Sequence, residues 1–327
     1  MKILIIHIAI ILLLTIQQST AQLLPVLGAQ RAGTSTVQFL KIGVGARAAG
    51  MGESFVALAN DASALYWNPA GITQFSENQL LVSHANWLVD INHQFLGAVY
   101  HLSTDDAVGL SITSLHMDDM PVTTEIQPFG NGEYFRFADI AIGFTYGRKL
   151  TEQFSFGATV RYIEETLDML TTQGVLIDLG TYYWTGLGTS RFSAVITNFG
   201  SQVKPTGTVK MLNGNTTSDF EEYTPPTLFR FGFAFDPIND DLNTLTTSIQ
   251  LNHPNDNSEN IGLGVEYQWM KTFVLRGGYK LNVDEQRFSF GGGINASLGF
   301  VDLSMDYGFV SFTNLGDVHR ISLIAKL

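Results

Sequence analysis

The chain has 327 residues, no cysteine and a net charge of −12, with only 15% charged residues but 23 Phe, 11 Tyr and 32 Gly. The acidic balance disfavours a nucleic-acid role, and without cysteine neither disulfides nor thiolate metal ligands can support the fold. Mean hydropathy is slightly positive although no run of eighteen apolar residues follows the first segment, which suggests apolar residues spread at period two, as in a membrane β-barrel.

Lys2 precedes an apolar run from Ile3 to Ile16, and small residues lead to Ala21. This pattern predicts a secretory signal peptide over residues 1–21. Gln22 follows, not Cys, so no lipid anchor is expected.

Residues 22–78 do not alternate. They hold "GVGARAAGMG" (43–52), "ESFVALA" (53–59) and "DASALYWNPAGI" (61–72). Asp61 reads as an N-cap for a short helix ending at Trp67. Pro69 disfavours the α conformation at Asn68, so Asn68-Pro69-Ala70 turns the chain, and Gly71 permits a tight exit. Two turns of helix are not stable alone in water. The segment is too irregular for lipid and too apolar for a free tail. It is therefore expected inside the barrel as a plug; the small residues Gly43, Gly45, Ala46, Ala48, Ala49, Gly50 and Gly52, with Met51 among them in the motif, let the backbone pass close to the wall, and Arg47 can meet lumen carboxylates.

From residue 79 onward alternation dominates. Phe229, Phe231, Phe233 and Phe235 oppose Arg230, Gly232, Ala234 and Asp236. Phe288, Phe290, Ile294, Ala296 and Leu298 oppose Ser289, Gly291, Gly293, Asn295 and Ser297. The bulky aromatic face suits lipid; the face of Gly, Ser, Thr and isolated charges suits a packed lumen. Fourteen strands are predicted: 79–88, 92–102, 106–116, 136–148, 153–167, 173–184, 191–199, 226–236, 243–252, 260–270, 272–281, 287–298, 300–310 and 318–327. Taking the N-terminus as periplasmic, the long connections 117–135 and 200–225 both fall on the outer side, as barrels require. The chain ends within a strand, which must close on the first because lipid tolerates no open edge.

Asp139, Arg161, Asp178, Arg230, Glu266, Arg276, Asp302 and Asp306 fall on inward faces and read as a neutralising network that stiffens the wall and anchors the plug. The loose Gly43-x-Gly45-x-x-Ala48 match lacks the βαβ context of a dinucleotide site. Seven His are scattered without metal spacing. Asn255-Asp256-Asn257-Ser258-Glu259 reads as a solvated loop, a weak calcium cage being the alternative. No nucleophile-elbow context occurs; no catalytic residue, metal or cofactor is expected.

The thirty-residue stretch "GVGARAAGMGESFVALANDASALYWNPAGI" resembles the N-terminal signature of the PorV/PorQ family, outer-membrane proteins of the type IX secretion system. "LGVEYQW…FVLRGGY" (263–279) and "DYGF…HRISL" (306–323) extend the resemblance. The family belongs to the wider FadL-type group, whose members carry Asn-Pro-Ala in an N-terminal hatch within a fourteen-stranded barrel. The resemblance implies an outer-membrane location in a Gram-negative-type bacterium, a plug (22–78) and barrel (79–327), and secretion-system proteins and cargo as partners beside the lipid. A FadL-like channel for fatty acids or other small hydrophobic molecules is the alternative.

Overall fold

The computed structural model describes residues 33–211 and 214–327. The expected signal peptide lies outside them.

Fourteen strands form one closed antiparallel barrel. They are β1 Gln79–Asn86, β2 Asn92–His101, β3 Asp106–His116, β4 Phe137–Lys149, β5 Phe154–Leu167, β6 Leu170–Trp184, β7 Arg191–Gly200, β8 Leu228–Asn239, β9 Asn243–Pro254, β10 Asn260–Trp269, β11 Phe273–Leu281, β12 Phe288–Ser297, β13 Asp302–Phe312 and β14 Gly316–Lys326. Every strand hydrogen-bonds its sequence neighbours, and β14 closes on β1 from Gln79↔Lys326 to Asn86↔His319. Closure pairs every edge, which is what permits a sheet to sit in hydrocarbon. All fourteen predicted strands are present, with ends shifted by a few residues.

The alternation is inverted relative to a soluble barrel. Phe229, Phe231, Phe233 and Phe235 are 39–43% exposed, whereas the intervening Arg230 is 3% exposed and Ala234 is fully buried. Apolar side chains point out and polar ones in, the arrangement lipid demands. The connections 117–136 and 201–227 lie at one end of the barrel, each carrying a two-residue hairpin, Met120–Pro121 with Tyr134–Phe135 and Val209–Lys210 with Thr216–Thr217. The opposite end has short turns such as 150–153 and 270–272.

The N-terminal segment packs on the inner face of this wall. It contains two short helices, α1 Ala46–Gly50 and α2 Ala64–Trp67, and 3-10 turns at Gln38–Lys41 and Pro69–Thr73. The largest apolar cluster joins Val44, Met51, Phe55, Leu65 and Trp67 to inward wall residues Leu81, Phe95, Val195 and Ile324. The helix expected over 61–67 is a single turn. Asp61 does not cap it directly; its Oδ1 accepts from Ser63 N at 2.9 Å, one residue pair earlier.

The N-terminus, expected on the periplasmic side, lies outside the described residues. Ser35 bridges Thr224 in the connection 201–227, and Ser35, Gln38 and Lys41 all bond Asp256 between β9 and β10. The described N-terminal residues therefore sit at the long-loop end, not the short-turn end. Asn78 lies at the other end, where it bonds His101 N and Leu327 N. The segment crosses the lumen before β1 begins. Loop parity is unaffected, because it depends only on where β1 starts.

Candidate functional site

The contact between segment and wall is the most elaborate site of the molecule. Asn68 is fully buried at its centre. Its Nδ2 donates to Val56 O (3.0 Å), Thr181 O (3.1 Å) and Ser193 Oγ (3.2 Å), and its Oδ1 accepts from Ala70 N (3.0 Å). One amide thus caps the 3-10 turn, ties two parts of the segment together and docks both on β6 and β7. The turn presses on the wall at Gly157, Gly180 and Gly147, where an added Cβ would overlap Pro69 and Ala70, Asn68 and Pro69, and Ile72 respectively. The exit role expected for Gly71 is corrected: its φ is not positive, and a Cβ there would strike Ala59 O and Ala64 Cβ, so it serves close packing.

The second contact surrounds α1. A Cβ on Gly50 would lie 2.9 Å from Gly291 Cα, and one on Gly308 2.7 Å from Ala46 O. Gly52 has φ +62°, and its N–H donates to Ser289 Oγ at 2.9 Å. Met51 is fully buried. Wall glycines thus face segment backbone where the two approach, and wall polar groups satisfy its amides: Gln250 Oε1 accepts from Phe55 N and Val56 N, Gln79 Oε1 from Ala62 N, Ser322 Oγ from Ala46 N. Tyr182 and Trp67 close remaining carbonyls at Ala57 and Val44. Irregular backbone at membrane depth is stable only when served this way.

The predicted charges divide into separate groups. Arg47 makes a bidentate pair with Glu266 (2.9 and 2.8 Å) and a third bond to Asp61 (2.9 Å). Glu266 also accepts from Arg276 (2.6 Å), which donates to Asp306 (2.7 Å). This forms a chain of alternating charge, Asp61–Arg47–Glu266–Arg276–Asp306, below α1. Arg161 and Asp178 form an isolated buried pair at 2.6 Å. Arg230 stacks over Trp67 and Tyr66, at 5.2 and 5.5 Å from the ring centroids. Two residues depart from the expected network. Asp139 is 3% exposed, with no ion pair among the described residues and no partner for Oδ1. Asp302 keeps inward parity but is exposed at the short-turn rim and forms no ion pair among the described residues; it is the first residue of its strand and lies beyond the segment's reach.

Sequence reasoning missed Asp256, Glu53 and Lys280. Asp256, expected in a solvated loop, is 5% exposed and receives Ser35, Gln38 and Lys41. Burial pushes its carboxyl up, but those hydrogen bonds and the Lys41 charge outweigh it and hold it below the usual range. Glu53 bonds Lys280 at 2.5 Å. Lys280 is not among the inward charges named from sequence, and nothing in sequence pairs it with a residue more than two hundred positions away.

Residues 27–254 match the family described as Type IX secretion system protein PorV. Among solved structures, the toluene transporter TbuX of Ralstonia pickettii matches over 87% of this chain and 97% of its own, at 13% identity and TM-score 0.55. The monoaromatic hydrocarbon channel CymD matches over the same shares at 15% and 0.55. The toluene transporter TodX of Pseudomonas putida does so at 12% and 0.56. At such identities the likeness is one of fold. No curated protein matches the chain.

Proposed function

The chain belongs to the family of type IX secretion system protein PorV, and from that premise we propose that it is a docking barrel rather than a conduit. The protein is an outer-membrane barrel of the FadL type. In this reading residues 1–21 are a leader removed on export, residues 22–78 a standing plug, and residues 79–327 the wall. Translocon and cargo proteins engage the outer loops and the outward apolar side chains, which can meet protein in place of lipid. No catalytic residue or cofactor is assigned.

The observation that carries the reading is the fit of segment to wall. Glycines stand where the two backbones meet, and Arg47 is locked between Asp61 and Glu266. A hatch that must move to admit a permeant gains nothing from being held so closely. A channel reading has one observation in its favour: an apolar hollow of about 450 Å³ on the outer side of β1–β4, lined by Leu80, Tyr100, Leu110, Phe144 and Leu327. Structural neighbours carry names of hydrocarbon channels and transporters.

Pinning the plug separates the two. A Cβ built on Gly262 lies 3.4 Å from Ser54 Cβ, near the separation a disulfide needs. In the Ser54→Cys/Gly262→Cys protein, cargo export and partner association should persist when oxidised, and shortening 201–227 should impair both. Loss of export on oxidation, restored by reduction, together with normal export from the shortened-loop protein, would overturn the docking reading.

A further inference from the structure

We infer that the outer mouth of the barrel holds a site for an oxyanion group, a carboxylate or phosphate carried by a polar ligand. The inference rests on the lumen's charges and does not require the docking reading.

Beneath the long-loop end lies a cavity of about 200 Å³ with Trp67 in its lining. Arg230, Lys280, Glu53, Gln250 and Asn252 line it. It shares Asn257, Asn260, Lys280 and Gln286 with a wider polar cavity of about 560 Å³ between the connections 255–259 and 282–287. A ligand arriving from the outer side meets this wider space first.

The charges around the cavity do not balance. Lys41 is matched by Asp256 at 2.9 Å and Lys280 by Glu53 at 2.5 Å. Arg230 is 3% exposed and forms no ion pair among the described residues; its Nη1 makes a long hydrogen bond, 3.4 Å, to Thr197 Oγ1. Arg320, also 3% exposed, forms no ion pair among the described residues. Among the described lining residues Glu53 is the one carboxylate and Lys280 takes it, so with Lys41 held by Asp256 the charge of Arg230 is left over.

Burying a charge is costly unless it is paired. The faces of Tyr66 and Trp67 offset part of that cost for Arg230, but they leave its hydrogen-bonding edge largely unused. A planar oxyanion fits that fork bidentately. The lining also fixes the rest of the ligand. Amides and cations predominate, and the apolar contributors are few, chiefly Leu228, Pro254 and Val283. An acyl tail finds little to cover it there, so the group is borne by something polar.

The test uses the full-length protein in detergent micelles, at constant ionic strength in chloride. Inorganic phosphate, acetate, and one short peptide with a free or an amidated C-terminus are titrated calorimetrically. Saturable binding of at least one oxyanion is expected, weakened about tenfold or more in Arg230→Gln and partly retained in Arg230→Lys. Heat-modifiable migration shows that each variant is folded. In chloride alone Arg230→Gln should unfold no earlier than the parent, because it sheds an unmatched charge. Tight binding of the free-ended peptide alone assigns the group to a chain terminus; comparable binding of acetate or phosphate assigns a free anion. Should Arg230→Gln fail to fold, Arg230→Lys carries the comparison, with weakened binding as the expected result. Absence of saturable binding for every probe, or equal affinity in the folded variant, overturns the inference.

Discussion

Gly277 and Gly278 are adjacent on β11 and present opposite faces, so alanine at each asks the same chemical question on two sides of the wall. A Cβ on Gly277 meets nothing within 4 Å; one on Gly278 overlaps Gly52 N and the Met51 carbonyl carbon and comes 2.5 Å from Ser289 Oγ. Neither glycine has positive φ, so the conformational terms match. Gly277→Ala should be neutral or stabilise by about 0.4–1 kcal/mol, through the lower entropy of the unfolded chain. Gly278→Ala must displace backbone on the N-terminal segment, which costs about 1–3 kcal/mol. It also breaks the 2.9 Å bond from Gly52 N to Ser289 Oγ, adding about 1 kcal/mol. The two variants should therefore differ by about 2–5 kcal/mol. Urea unfolding in detergent, followed by tryptophan fluorescence and gel mobility, measures the gap. A cysteine at Ala48, fully buried in the parent, should become reactive in Gly278→Ala and stay shielded in Gly277→Ala. Equal unfolding of the two, with Ala48→Cys shielded in both, would refute the claim that segment backbone rests on wall glycines.

Asn68→Ala strips Val56 O and Thr181 O of their donor and Ala70 N of its acceptor, so urea unfolding should show a loss of about 2–4 kcal/mol. Acidification should loosen the attachment at Asp256. Its folded pKa lies below that of the unfolded chain, so its stabilisation is full above the ordinary carboxylate range and fades as pH falls through the folded value. The difference in unfolding temperature between parent and Asp256→Asn should thus be present at pH 7 and vanish in strong acid; a difference independent of pH would contradict it. Gly33 is exposed at the long-loop end, so a cysteine there should react with a membrane-impermeant maleimide in intact cells. Labelling only after cell lysis would place that end in the periplasm.

The barrel was legible in sequence because period-two alternation is a local property. The lipid-facing phenylalanines at 229, 231, 233 and 235 declare a face without reference to any partner, and closure follows because an open edge cannot exist in hydrocarbon. Strand number and loop parity came from the same signal. The turn at Asn68-Pro69 was also local, since proline restricts the residue before it. What the sequence could not supply were the meetings between distant positions. The inward glycines looked like generic small lumen residues; only the folded chain shows that Gly157, Gly278 and Gly308 face segment backbone. Asp256 looked solvated because its partners lie more than two hundred residues earlier. The eight inward charges looked like one network, but a tilted, closed wall sets them at different depths. Five charges, two of them Arg47 and Asp61 of the segment, join in a chain, Arg161 and Asp178 pair alone, and Arg230 is left facing aromatic rings. Side-chain parity is encoded residue by residue. Depth, pairing and the path of the N-terminal segment through the lumen exist only once β14 has closed on β1.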